Sequence, residues 1–474
     1  MKYYSDTIAA ISTPIGRGGI GIIRISGELI PEIALELLGK VPKPRTAEYL
    51  PFRDKQGSTI EKVITLFFPK PHSFTGENIL EIHGHGGYII LNILLSRILE
   101  ISSKIRLANP GEFTERAFLN NKIDLIQAES IADIIDATSY QAAKAAYNSL
   151  QGFFSNQIHN ILDKIIYCRM HVESTIDFSD QDIDTISYNK IKKILKNIIT
   201  ETDKIYKSAY SGSLLRDGIK IIIAGKPNAG KSSLFNALIN LDRAIISSIP
   251  GTTRDTLYET IQLNGITFHI TDTAGLQEHS TNEIELIGIK RAKNELKLAD
   301  HILWVVDSSS CSNKYDDMLL PLQKTLPNIN KKTTITIIRN KSDLSLEKNG
   351  IYIINGYTCI TLSALLNSGI DLLKKYLYNN TKHKIQHYTL PHSIEENQNN
   401  FIARQRHLNI IKNAYQYLLS AQKQLNHYYC GVTIINDRFA EDLRYAHDEL
   451  NKIFGKSTPD NLLKKIFSSF CIGK

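Results

Sequence analysis

Eight residues, GKPNAGKS (Gly225 to Ser232), constrain this chain of 474 residues more than any others. They follow an apolar run, Ile219 to Ala224, and lead into SLFNALIN, which reads as the start of a helix. Glycines there let successive backbone N–H groups curl round phosphate oxygens, and the helix N-terminus adds positive potential. The pattern demands a strand, a tight loop and a helix in that order. Lys231 then meets the β- and γ-phosphates of a bound nucleotide, and Ser232 offers its hydroxyl to Mg2+.

The surroundings agree. Between Ile219 and Asn380 the strand candidates IKIIIAG, FHITDTAG, HILWVVD, TTITIIRN and TCITLSA alternate with helical stretches, the pattern of a parallel α/β sheet. DTAG (Asp272 to Gly275) ends the second strand; Asp272 is expected to hold the magnesium through water, and Gly275 to donate its N–H to the γ-phosphate. GTTRD (Gly251 to Asp255) supplies Thr253 as a further metal ligand. NKSD (Asn340 to Asp343) follows a later strand. Asp343 can accept from guanine N1–H and the 2-amino group, a pair of donors adenine lacks, so adenine would leave a buried carboxylate unpaired. SAL (Ser363 to Leu365) supplies a backbone contact at the base. The four motifs GKPNAGKS, GTTRD, DTAG and NKSD, in that chain order and with SAL after them, predict guanine-nucleotide binding.

Hydrolysis requires a group that orients water. A glutamine directly after DTAG does so in some GTPases. Here that position is Leu276, with Gln277 one residue on, and no arginine finger stands out. Asn228, inside the phosphate loop, can ligate a monovalent cation where an arginine finger would sit. Glu283 and Glu285 can orient water; the alternative for both is a solvated helix.

The rest of the chain has two other textures. Residues 1–120 carry short β-branched runs punctuated by Gly and Pro (GIGIIRISG, KVITLFFP, NILEIHGHGG), as in an α+β domain. From Gly111 to Lys226 there is no proline, and Ile123, Ile126, Ile131, Ile134 and Ile135 keep helical spacing. Helix returns after a polar stretch at 383–400, where Phe439, Leu443, Ala446, Leu450 and Ile453 mark one helix face. Helices on both sides of a self-contained α/β unit imply that the unit is inserted into a helical domain. The expected division is 1–120, 121–216 (helical, first part), 217–382 (nucleotide-binding) and 383–474 (helical, second part). The five cysteines (Cys168, Cys311, Cys359, Cys430, Cys471) lack CxxC spacing, which argues against a zinc site or a disulfide framework. The N-terminus lacks a long apolar run and no stretch is long enough to span a membrane, so a reducing cytoplasm is expected. A net charge of +8 mildly favours an anionic partner such as RNA.

The whole chain resembles the MnmE (TrmE) tRNA-modification GTPase family. The resemblance rests on GRGGIGIIRISG, GENILEIHGHGG, NPGEFTERAFLNNKIDLIQAE, the inserted GTPase motifs, LRYAHDELNKIFGK (Leu443 to Lys456) and the terminal CIGK. It implies an α+β folate-binding-like N-terminal domain that pairs two chains, an all-α helical domain, and an inserted Ras-like α/β P-loop GTPase domain. It further implies a homodimer that joins a flavin-containing (FAD) MnmG-type partner in a heterotetramer. Together they add an aminomethyl or carboxymethylaminomethyl group to C5 of the wobble uridine of certain tRNAs. A tetrahydrofolate (5-formyl or methylene) supplies the one-carbon unit.

Carried over residue by residue, the family's folate contacts fall on Arg24, Glu81, Lys122 and Lys474. Potassium falls to Asn228, to the carbonyls of Ser247 and Ile249, and to Thr252; magnesium falls to Ser232 and Thr253. The nucleotide contacts are Asn228, Ala229, Gly230, Lys231, Ser232, Ser233, Ser247, Ser248, Ile249, Pro250, Gly251, Thr252, Thr253, Asp272, Thr273, Ala274, Gly275, Asn340, Lys341, Asp343, Ser363 and Ala364. Glu285 matches the water-orienting glutamate, although the segment after Gly275 is one residue longer than the family form, which leaves Glu283 in contention. Cys471 falls beside the one-carbon unit, as a nucleophile or as a packing group. Read from the residues alone, the tail FCIGK also has the outline of a prenylation box, but Gly473 and Lys474 are wrong for one. The competing function is a ribosome-assembly GTPase that binds rRNA. Such proteins carry clustered basic residues after the GTPase, whereas this chain carries amphipathic helices there.

Overall fold

The computed structural model describes residues 6–14, 16–177, 188–240, 258–272, 296, 299–310, 333–388, 400–427, 437–455, 460–471 and 473. The chain divides into two units. One comprises Met1–Ile135, Ser149–Ile199 and Ile410–Lys474; the other comprises Asp136–Asn148 and Thr200–Asn409.

The first unit holds a six-stranded sheet made of β1 (Thr7–Ile11), β2 (Gly18–Ser26), β3 (Glu48–Arg53), β4 (Thr59–Phe68), β5 (Ile79–Gly86) and β6 (Ile105–Leu107). Its order is β3-β4-β5-β2-β1-β6, antiparallel except for β1 and β6. Alternation along β2 decides its two faces. Ile23 and Ile25 are fully buried in a core with Leu80 and Ile82 of β5, beneath α1 (Ile30–Leu38) and α2 (Tyr88–Leu99). Arg24 points the other way. It stands opposite Ala10 on β1 and Glu81 on β5, on the face where Ile8, Ala10 and Ala108 meet Phe113 of α3 (Glu112–Leu119).

Helices α4 (Leu125–Ile135), α5 (Tyr140–Leu150), α6 (Phe153–Asp177) and α7 (Tyr188–Asp217) follow. The first helix after Gly111 is thus α3, and the isoleucine spacing does mark a helix, α4. That helix buries Leu125, Ile126, Ala128, Glu129, Ser130 and Asp133, while Ile135 is exposed.

The second unit holds a seven-stranded sheet: β7 (Ile219–Gly225), β8 (Tyr258–Leu263), β9 (Ile266–Asp272), β10 (His301–Asp307), β11 (Thr334–Asn340), β12 (Gly350–Ile354) and β13 (Tyr357–Thr361). Its order is β12-β13-β11-β10-β7-β9-β8, with the five inner strands parallel and the two edges antiparallel. Ile221, Ile223 and Leu303 face one core with Leu234 and Leu238 of α8 (Lys231–Asn240). Ile222, Ile302 and Trp304 face another. Burial on both faces is why these strands read as unbroken apolar runs.

After α9 (Ile370–Tyr388) come α10 (Gln405–His427), α11 (Asp437–Asn451) and α12 (Asp460–Phe467). α11 packs against α6, so helices encoded before and after the parallel sheet share a core. Phe439, Leu443, Ala446, Leu450 and Ile453 are all buried, the last in a 3-10 turn, Lys452–Phe454. Among the described residues no helix is long and apolar enough to cross a membrane.

Candidate functional site

Two sites take shape, one in each unit. In the second unit the phosphate loop joins β7 to α8 at the C-terminal end of the parallel strands, where ligands bind in open α/β sheets. Its backbone needs left-handed angles. Gly225 has φ 155, Asn228 φ 62 and Gly230 φ 89. A Cβ on Gly225 would lie 2.2 Å from the Val305 carbonyl oxygen, and one on Gly230 2.2 Å from Asn340 Nδ2. The two glycines are therefore required for close approach as well as for conformation.

Lys231 is buried, and its ammonium donates to the Lys226 carbonyl oxygen at 3.0 Å. Burial lowers its pKa, against the pull of the Asp272 carboxylate. Ser232 Oγ donates to Asp272 Oδ2 at 2.9 Å, bringing together a hydroxyl and a carboxylate from the loop and from β9. That pair of hard oxygens suits Mg2+, which takes few protein ligands. Asn228 and Ser233 are exposed at the loop.

Asn340, at the end of β11, ties the site together. Its Nδ2 donates to the carbonyl oxygens of Ala229 at 3.1 Å and Gly230 at 3.4 Å. Its Oδ1 accepts from the Ala364 N–H at 3.0 Å. Ser363 Oγ donates to Asp343 Oδ1 at 2.5 Å and also accepts from the Leu366 N–H at 3.3 Å, so the SAL segment orients the Asp343 carboxylate. Lys341 donates to Asp307 Oδ2 at 2.6 Å, a partner that reading the motifs did not single out. Thus Asn228, Ala229, Gly230, Lys231, Ser232, Ser233, Asp272, Asn340, Lys341, Asp343, Ser363 and Ala364 gather at one end of this sheet. Ser247, Ser248, Ile249, Pro250, Gly251, Thr252, Thr253, Thr273, Ala274, Gly275, Glu283 and Glu285 lie outside the described residues.

In the first unit Arg24 and Glu81 form a directly opposed cross-strand pair. Nε and Nη2 of Arg24 donate to Glu81 Oε1 at 2.9 and 2.7 Å. Glu81 Oε2 lies 3.4 Å from His83 Nε2. The Arg24 guanidinium carbon is 6.0 Å from the Phe74 ring centroid and 5.9 Å from that of Phe113. Gly473 reaches the same place. Gly473 O accepts from Ser12 Oγ at 3.2 Å and from Arg24 Nη1 at 3.3 Å. The Gly111 N–H donates to the Cys471 carbonyl oxygen at 3.2 Å. Phe467 and Phe470 are buried with Leu125 and Ala128, which anchors the tail. Gly111, at φ 70, has no room for a Cβ, which would lie 2.4 Å from the Phe467 carbonyl oxygen.

The Cys471 side chain is exposed. Burial pushes the Cys168 and Cys359 thiols up to about 12 and about 11, which makes them poor nucleophiles. Lys122 is exposed and donates to the Pro71 carbonyl oxygen at 3.0 Å, and Asn120 donates to that of Thr75 at 2.7 Å. Both therefore brace the loop that carries Phe74. Lys474 lies outside the described residues.

Next to Arg24 along β2 stands a buried ionic cluster. Ser26 Oγ donates to Glu77 Oε2 at 2.7 Å. Arg116, fully buried, pairs with Asp6, Glu77 and Glu112. Arg106 bridges Asp6 and Glu112. Burial alone would raise the Asp6 and Glu112 carboxyls, but hydrogen bonds from Arg106 and the charge of Arg116 hold both below their ordinary values. The cluster pins α3 to the sheet.

Comparison with known proteins identifies the family. A family model described as "GTP-binding protein TrmE N-terminus" matches residues 7–122, and one described as "MnmE helical domain" matches residues 125–471. Curated relatives called "tRNA modification GTPase MnmE" include that of Blochmanniella floridana, 67% identical over 472 residues, with 99% of each chain covered. That of Blochmanniella pennsylvanica is 66% identical over 475 residues, with each chain covered in full. That of Pasteurella multocida is 48% identical over 469 residues, covering 99% of this chain and 100% of its own. Among solved structures, the G domain of T. maritima FeoB aligns with a TM-score of 0.24 at 24% identity, over 36% of this chain and 99% of that one, too low to carry an argument. End-to-end identity at this level, added to a phosphate loop tied to Asn340 and to Gly473 lodged beside Arg24 and Glu81, means that the chain belongs to the MnmE family of tRNA-modification GTPases.

Proposed function

We propose that the chain is a potassium-activated GTPase. With a flavin-containing MnmG-type partner, it adds a carboxymethylaminomethyl or aminomethyl group to C5 of the wobble uridine of certain tRNAs, in the cytoplasm. The observation that carries this reading is the lodging of Gly473 beside the Arg24–Glu81 pair. A pterin presents N–H groups that a carboxylate can accept, and a glutamyl tail presents carboxylates that arginine and lysine can meet. Glu81, Arg24, Lys122 and Lys474 supply that set, with the tail closing it. The residues therefore suit a reduced folate, which supplies the one-carbon unit. Cys471 is accessible there for a chemical step.

At the nucleotide, the chain's own groups bind and orient. Lys231 neutralises phosphate charge, Asp343 reads guanine, and Ser232 with Thr253 holds magnesium. Asn228, with Ser247, Ile249 and Thr252, holds potassium, and Glu285 orients water. Held by these residues, magnesium and potassium would supply positive charge to stabilise negative charge developing on the phosphates. Two chains pair through residues 1–120, the helical domain comprises 121–216 and 383–474, and 217–382 is the nucleotide domain.

Nucleoside mass spectrometry on tRNA from cells lacking this chain tests the proposal. Loss of the C5 modification at the wobble uridine is expected, and restoration requires Glu81 and Arg24 as well as Lys231. An unchanged nucleoside profile would overturn it.

A further inference from the structure

The guanine-reading turn has an anchor that its own motif does not contain. β10 ends on Asp307, which is paired with Asn340 across β10 and β11. One residue beyond Asn340, Lys341 takes a left-handed backbone, φ 65, and turns its side chain back across the two strands. Its ammonium meets Asp307 Oδ2 at 2.6 Å, with the side chains 30% and 20% exposed. The other carboxylate oxygen is held by Ser309, whose N–H donates at 3.0 Å and whose Oγ donates at 2.6 Å. Ser308 fastens the same turn twice. Its N–H donates to the Asn340 carbonyl oxygen at 2.9 Å, and its Oγ donates to Ser345 Oγ at 2.9 Å. Asp307 and Ser308 together bind the turn from Asn340 to Ser345 at three separate points.

A partly exposed ion pair adds little to stability. Its value lies in where it holds the lysine. An unanchored lysine has a flexible four-carbon stem and a strongly hydrated head, and would sample positions toward the phosphates as well as the base. With the head on Asp307, the apolar stem stays at the base-reading turn, and Lys231 is left as the cation of the phosphate loop. We propose that Asp307 is a positioning residue for guanine recognition, acting by holding Lys341 beside the Asn340–Asp343 turn, with Ser309 holding the carboxylate in turn. The proposal rests on the guanine-nucleotide reading of this site.

The test is the dissociation constant of GDP for the full-length chain, read by displacement of a fluorescent guanine nucleotide. The variants are Asp307→Asn, Lys341→Gln, their double and Ser309→Ala. Asp307→Asn should weaken GDP by about three- to fivefold, the range that coupling in a partly exposed ion pair allows. In the Lys341→Gln background the same change should add nothing, because the group it positions is gone. Ser309→Ala, at an exposed site that folding tolerates, should give a smaller loss in the same direction and covers the case in which Asp307→Asn fails to fold. Melting temperatures without nucleotide separate positioning from stability. Equal weakening in both backgrounds, or unchanged GDP affinity with a lowered melting temperature, would overturn the proposal. If the unaltered chain binds no GDP, the nucleotide reading itself fails. If it binds and Asp307→Asn matches it, only the role of Asp307 does.

Discussion

Replacing Gly473 by alanine should release the end of the chain from the Arg24–Glu81 pair without unfolding anything else. Gly473 has φ 89, and a Cβ there would lie 2.7 Å from Ser12 Cα and 2.8 Å from the Ile11 carbonyl oxygen. Both are backbone atoms at the end of β1, which is hydrogen-bonded to β2 on one side and β6 on the other, so neither can move aside. The left-handed backbone costs an alanine roughly 1–2 kcal/mol. Moving away also breaks the bonds from Ser12 and Arg24 to the Gly473 carbonyl, about 2 kcal/mol net for the two. The sum is about 3–4 kcal/mol, enough to shift docking by about two to three orders of magnitude. Phe467 and Phe470 stay buried, so the chain up to Cys471 keeps its anchor. Gly57→Ala is the control: φ is 82 there, but no atom lies within 4 Å of the added Cβ. Carboxypeptidase trimming followed by intact-mass measurement reads docking, and calorimetry with 5-formyl-tetrahydrofolate reads binding. Gly473→Ala should be trimmed faster and bind less folate, and Gly57→Ala should do neither. Wild-type trimming and binding in Gly473→Ala would refute the reasoning.

Gly230→Ala drives a Cβ into Asn340 Nδ2, so the keystone bonds to Ala229 and Gly230 break. Losing a buried hydrogen-bond partner costs about 1–3 kcal/mol, so GDP affinity measured by calorimetry should fall by about tenfold to a hundredfold. GTP turnover should be many-fold faster in potassium than in sodium, and Asn228→Ala should erase the difference; equal rates of phosphate release in both salts for the unaltered chain would remove the cation from the proposal. Arg116→Met takes the Arg116 charge from Glu77 and leaves Asp6 and Glu112 to Arg106 alone, and should destabilise the first unit by about 3–5 kcal/mol, seen as an earlier thermal transition. Asp6 and Glu112 have lowered folded-state pKa values, so their contribution is full above the unfolded carboxylate values of about 4 and is lost as pH falls through the lower folded ones. Melting temperature against pH should therefore drop on the acid side, and starting at higher pH in Arg116→Met.

What the sequence reveals about this chain depends on how far apart the partners lie along it. The phosphate loop is legible because its strand, turn and helix are neighbours, and every role follows from local geometry. The β-branched runs of β7, β10 and β11 are legible because both faces are buried, so no polar residue interrupts them. β8 and β12 escape notice for the opposite reason. Both are sheet edges, and on β12 Ile351, Tyr352 and Ile353 are exposed, so their apolar character marks no core. A signal was present: Asn264–Gly265 and Asn355–Gly356, with φ 49 and 81 and φ 48 and 84, are the two-residue turns that close tight hairpins. The isoleucines from Ile123 to Ile135 locate α4 but not its buried face, because a helix apolar on several sides leaves its neighbours to choose. The Phe439 stripe names its face correctly because the rest of α11 is charged. Lone-sequence reasoning fails at pairings such as Arg24 with Glu81, 57 residues apart, or Arg24 with Gly473, 449 apart, since nothing local distinguishes those charges from solvated ones. Only the resemblance pointed to Arg24 and Glu81. The geometry adds the reason they belong together: alternation in β2 and β5 puts them on one face, directly opposed, and the tail's glycine fits where no side chain can.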